Sequence, residues 1–130
     1  SPGPKQEQFK LNFTITNLRF TTDLGTPNSA KFRSTERIMQ HYVSQSYHFS
    51  LKSPTFHEHQ QCPKERLTFF LRSGRERDHT GVDAVCSYTN NASLAKFDRE
   101  KVYGELSTMT DGVTKLGHYS LEKNSLYVNG

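Results

Sequence analysis

Two asparagines stand in Asn-X-Ser/Thr sequons, Asn12-Phe13-Thr14 and Asn91-Ala92-Ser93, with no proline at either middle position. Each is a chemically competent acceptor for an N-linked sugar if the chain passes through a secretory compartment. Such triplets arise by chance, so their surroundings matter. Asn12 falls on the polar face of an alternating stretch and Asn91 in a polar run after a hairpin, and both places can hold a bulky sugar outside the core. The chain has two cysteines, Cys62 and Cys86. Their pairing is the only internal one available, and it closes a loop of about 25 residues, which the loop-entropy model values at roughly 3–4 kcal/mol. The alternative is two buried free thiols in a reducing compartment. His57, His59 and Cys62 form an H-x-H-x-x-C cluster of metal-ligand types around Glu58. A structural zinc site needs four ligands, commonly as two pairs, and no second pair is evident, so solvated side chains are expected and no metal.

Enzymatic chemistry finds little support. No G-x-S-x-G is present, the six histidines are scattered over polar segments, and the eight glycines are isolated, so neither a nucleophile elbow nor a phosphate loop is formed. No catalytic residue and no cofactor are expected. The net charge of +4 and pI of about 9.1 invite a nucleic-acid reading, with Arg72, Arg75 and Arg77 at a hairpin tip. Yet 17 basic residues are interleaved with 13 acidic ones, and LTFFLR lacks the glycine and spaced aromatics of an RNA-binding sheet. A nucleic-acid partner is the least favoured expectation.

The elements that must position these residues are organised around Leu67 to Tyr88. Thr68–Leu71 and Val82–Tyr88 carry the aromatic and β-branched types of a half-buried hairpin. Between them Ser73–Thr80 is almost wholly polar and must sit in water. Its register stays open: if Cys62 and Cys86 lie directly opposite, the turn centres on Gly74; if Leu71 pairs with Val82, the chain before Arg66 must bend for Cys62 to reach Cys86. Leu11, Phe13 and Ile15 alternate with Asn12, Thr14 and Thr16 and predict a first strand from Lys10. Residues 1–9, rich in proline and polar types, read as a linker or an expression remnant. Phe32, Thr35, Ile38, Met39, Tyr42 and Val43 predict a helix capped by Ser29 or Ser34 and ending near Ser46. Tyr47–Arg66 reads as a long surface connection and Thr89–Ser93 as a turn. Asp98 is expected to cap a second helix with Val102, Leu106 and Met109 inward, and Val113 and Leu116 to add a short turn. A last strand is expected over Ser125–Val128.

The order strand, helix, strand, strand, helix, strand closes most simply as a ferredoxin-like βαββαβ sandwich, an α+β fold with a four-stranded antiparallel sheet and both helices on one face. Residues 10–130 are expected to form one domain. No run approaches the roughly 20 apolar residues of a membrane span and no apolar leader opens the chain. Either the domain is soluble, or targeting and anchoring lie outside this sequence.

Five segments, LNFTITNL (11–18), FRSTERIMQ (32–40), TGVDAVC (80–86), FDREKVYGELSTMTDGV (97–113) and NSLYVNG (124–130), together resemble the SEA domain of cell-surface mucins. The resemblance implies the same βαββαβ fold. Some SEA domains cut themselves at a Gly-Ser leading into the third strand, where a strained peptide bond is attacked by the serine hydroxyl. Here the matching stretch is Thr80-Gly81-Val82, with glycine at the nucleophile's position, which implies an intact domain; the self-cutting, ectodomain-shedding reading is the alternative. The resemblance also implies a Cys62–Cys86 disulfide, an extracellular setting in a membrane-anchored glycoprotein, N-glycans at Asn12 and less clearly at Asn91, and a role in adhesion and epithelial protection. Mesothelin and lectins that read N-glycans are the partners it implies.

Overall fold

A computed structural model of the chain describes residues 5–50, 66–90 and 98–130, with side chains at 7–44, 66–87 and 98–130. Its elements are β1 (Lys5–Ile15), α1 (Ala30–Ser50), β2 (Leu67–Ser73), β3 (Thr80–Asn90), α2 (Arg99–Met109), β4 (Lys115–Leu116), β5 (Tyr119–Ser120) and β6 (Tyr127–Asn129). Four strands form an antiparallel sheet in the order β2-β3-β1-β6, and β4 and β5 form a small separate hairpin. Apart from that hairpin, this is the expected α+β sandwich, with the two helices on one face of the sheet.

Alternation sets which face is covered, because successive residues of a strand point to opposite sides. Phe9, Leu11, Phe13 and Ile15 of β1, Leu67, Phe69 and Leu71 of β2, Val82, Ala84 and Cys86 of β3, and Val128 of β6 are all buried. They meet Phe32, Met39 and Val43 of α1 and Val102 and Leu106 of α2 in one core. The first strand is longer than its sequence suggests. Residues 5–9, expected as linker, pair with 86–90 of β3, and Phe9 is 1% exposed. Phe9 simply extends the inward row two residues back, while the polar residues before it are held through backbone pairing that their types do not advertise.

Ser29 caps α1: its hydroxyl accepts from Phe32 N at 3.0 Å. The helix runs one turn past its expected end, and Ile38, expected inward, is exposed. At 3.6 residues per turn it lies roughly 100° from the middle of the stripe formed by Phe32, Thr35, Met39 and Val43. Asp98 caps α2 as expected, accepting from Lys101 N at 3.1 Å.

Beyond α2 the chain departs from expectation. Val113 and Leu116 do not add a helical turn, because Asp111, Gly112 and Val113 all take positive φ, at 56°, 72° and 62°. A β-branched residue in that region is strained. Buried Thr110 holds it there, its hydroxyl donating to Leu106 O at 2.7 Å and accepting from Val113 N at 3.2 Å. Leu116 then enters β4, and the turn into β5 uses Gly117, at φ 61°, where an added Cβ would overlap the ring of Tyr42. The final strand begins at Tyr127, two residues later than expected, after the turn at Glu122–Asn124.

Candidate functional site

The hairpin register is the one in which Leu71 pairs with Val82. It places Ser73 opposite Thr80 and Arg72 opposite Gly81, while on the other side of β3 Ile15 faces Thr80 and Thr14 faces Gly81. The Thr80–Gly81 peptide therefore opens β3 at the end of its two ladders, with a paired strand on each side. Among the described residues no peptide bond is cis, and positive φ values occur only at Asp111–Val113, Gly117 and Asn124, all far from this bond in sequence. Thr80 points into the core, fully buried, and its hydroxyl donates to Leu18 O at 2.5 Å. Residue 81 faces the opposite side. Its missing side chain leaves the room that Arg72 occupies: an added Cβ would lie 2.3 Å from Arg72 Nη1. Arg72 crosses Gly81 to reach Asp83, with Nε to Oδ2 at 3.2 Å and Nη2 to Oδ1 at 3.3 Å.

Asp83 is also the partner of the first sequon. Asn12, in the middle of β1, faces away from the helices, and its Nδ2 donates to Asp83 Oδ1. Arg72, Asp83 and Asn12 thus form a chain of polar contacts across β2, β3 and β1 on the open face of the sheet. The amide nitrogen that would carry a sugar stands on the side of β1 away from the core, bonded to Asp83. Asn91, the second sequon, lies outside the described residues, as do His57, His59 and Cys62. Cys86 is buried on β3 and disulfide-bonded.

Among the described residues no three metal-ligating side chains converge, and no helix is long and apolar enough to cross a membrane. The hairpin tip carries Arg75 and Arg77 in solvent beside Glu76 and Asp78, and Asp78 is 4.0 Å from Arg19. The basic residues there are interleaved with acids, not arrayed as a stripe. A groove of about 340 Å³ lies between the start of α1 and β2, lined by Leu24, Phe32, Phe69 and Leu71 with Arg33 and Glu36 also in its wall. It contains no serine, cysteine or histidine.

Sequence reasoning identified Gly81 and Asn12 but not the Arg72–Asp83 pair that joins them. That pair is a cross-strand relation: it becomes visible only when the register is known, because Arg72 and Asp83 are eleven residues apart and on different strands. The family model of the SEA domain matches residues 7–122. The match takes in β1 from Glu7 onward, as well as both helices and the β2–β3 hairpin.

Proposed function

The chain belongs to the SEA domain family, and from that premise we propose that it is an intact, non-enzymatic extracellular module of a membrane-tethered epithelial mucin, of the kind repeated in mucin-16. In this reading it is a compact spacer that presents N-glycans at Asn12 and Asn91, is closed by a Cys62–Cys86 disulfide, and contributes a protective, adhesive surface. Mesothelin and N-glycan-reading lectins are its proposed partners.

The observation that carries the reading is the Thr80–Gly81 bond. Self-cutting needs a hydroxyl at residue 81 and a distorted bond before it. Glycine supplies no hydroxyl, the bond joins the first two residues of β3, each paired on both sides, and Thr80, the hydroxyl adjacent in sequence, is buried on the other face with its proton given to Leu18 O. Secretion from mammalian cells followed by denatured mass measurement tests this. One full-length species is expected, two hydrogens lighter before reduction and heavier by N-glycan until deglycosylated. Two fragments parting near Gly81 would replace the spacer with a self-processing domain, and an unmodified chain with free thiols would remove the extracellular assignment.

A further inference from the structure

One cross-strand row on the open face of the sheet runs Phe70, Asp83, Asn12, Tyr127, through β2, β3, β1 and β6. Among the described residues three large hydrophobic side chains are exposed, and two of them, Phe70 at 57% and Tyr127 at 51%, are the ends of this row. Neighbouring strands lie roughly 4.8 Å apart, so Tyr127 is the immediate neighbour of Asn12 and Phe70 stands roughly 10 Å away across Asp83.

The Asn12 amide is already aimed. An N-linked sugar replaces one of its two amide hydrogens, and the other remains to donate to Asp83 Oδ1, as Nδ2 does here. The two N–H bonds of a planar amide diverge by about 120°. With one directed to Asp83 on the β3 side, the other is turned away from Asp83, and the cross-strand neighbour on the remaining side of Asn12 is Tyr127. Asp83 is itself fixed by the two contacts from Arg72.

Tyr127 is braced to receive it. The Arg99 guanidinium lies 5.2 Å from the ring centroid, and Arg99 Nε donates to Val128 O at 2.5 Å. Arg99 opens α2 on the helix side of the sheet and β6 is the end strand, and with Arg99 over one face the Tyr127 side chain is still 51% exposed. N-acetylglucosamine carries its ring substituents equatorially, so its flat faces are lined by C–H groups. Those hydrogens, slightly positive, suit the negative face of an aromatic ring.

We propose that Tyr127 is a binding platform for the first N-acetylglucosamine of a glycan on Asn12, with Arg72 and Asp83 orienting the linkage and Arg99 holding the ring. The proposal rests on the glycan-presenting reading and specifies how the fold uses that sugar. It makes the glycan part of the folded domain, covering an apolar ring that the protein leaves bare.

The test uses protein secreted from mammalian cells in an Asn91→Gln background, trimmed enzymatically to a single N-acetylglucosamine, with mass reporting occupancy of Asn12. Melting temperatures are compared with and without Asn12→Gln, each in the parent, Tyr127→Ala, Tyr127→Leu and Phe70→Ala. The sugar should raise the parent's melting temperature by roughly 3 °C, the size expected of one aromatic contact in a domain this small. Tyr127→Ala and Tyr127→Leu should remove most of that gain, while Phe70→Ala, an equally exposed ring on the same row, should keep it. In the unsubstituted protein the axial ring protons of the sugar should be shifted upfield by the tyrosine ring. A gain that survives both Tyr127 substitutions, or unshifted ring-proton signals of the sugar, overturns the platform alone. An Asn12 found without sugar overturns the glycan-presenting reading at that site and the platform with it.

Discussion

Residue 81 shows how a single side chain's absence serves two purposes. Glycine there offers no hydroxyl and also opens the space through which Arg72 reaches Asp83. In Gly81→Ser the new Cβ must push the arginine aside, and the half-exposed pair it breaks is worth about 0.2–1 kcal/mol. The variant should lose that much stability in a denaturant titration and still run as one chain on a denaturing gel, because the residues on either side of that bond stay paired on both sides. Cleavage of the variant would show that a hydroxyl alone suffices. Tyr119 gives a second test. Burial first, and repulsion from Tyr42 second, raise its pKa above the usual 10.0, and the two rings meet edge-on with centroids 6.2 Å apart. A raised folded-state value means that above pH 10 the unfolded chain gives up this proton while the folded chain still holds it. Its contribution is therefore intact below the unfolded pKa and lost as pH rises through the folded one. Tyr119→Phe should lessen the fall in stability above pH 10, as followed by thermal melts across pH; an identical fall in both proteins would exclude Tyr119 as its source. The glycine at 81 is legible in the sequence, since the missing hydroxyl is a fact of composition. Arg72's partner and the Tyr42–Tyr119 contact are not, because each depends on elements meeting in space.

Elements divide along the same line. Alternation and capping carry most of the fold: Leu11, Phe13 and Ile15 announce β1, and Ser29 and Asp98 mark both helix starts by a hydroxyl and a carboxylate that accept from the first turn. Where a segment is held by backbone pairing or by an unusual φ, the residue types say little. The front of β1 is the clearest case, since Lys5–Gln8 look like linker yet pair with β3. The run after α2 is another, as nothing in Val113 signals a positive φ; it is imposed by the hydrogen bonds of Thr110. If the front of β1 is structural, Phe9→Ala should cost about 3–5 kcal/mol through the cavity it leaves, and a chain starting at Lys10 should melt far below the parent. A shortened chain melting with the parent would return those residues to a linker.

At the scale of the whole molecule, the order of elements suffices to give the class, since a βαββαβ chain has few simple ways to close. Strand register, by contrast, comes from the pairing of Leu71 with Val82 and of Asn12 with both Asp83 and Tyr127. The adjacency of β1 and β6 has a mechanical consequence. They run antiparallel, with Lys10 beside Asn129, so the chain enters β1 and leaves β6 at the same end of the sheet. Tension applied through those two ends loads the ladder between them one rung at a time, like the two sides of a zipper, whereas strands drawn in opposite directions would have to break every rung together. In optical tweezers, handles at residues 5 and 130 should open the domain at lower force than handles at residues 16 and 130, where β1 and β6 are dragged past each other. Equal forces would mean that the β1–β6 ladder is not what yields first. The lower force at the first pair of handles would mean that tension entering through the two ends extends the domain rung by rung, so that it yields before a sheared ladder would.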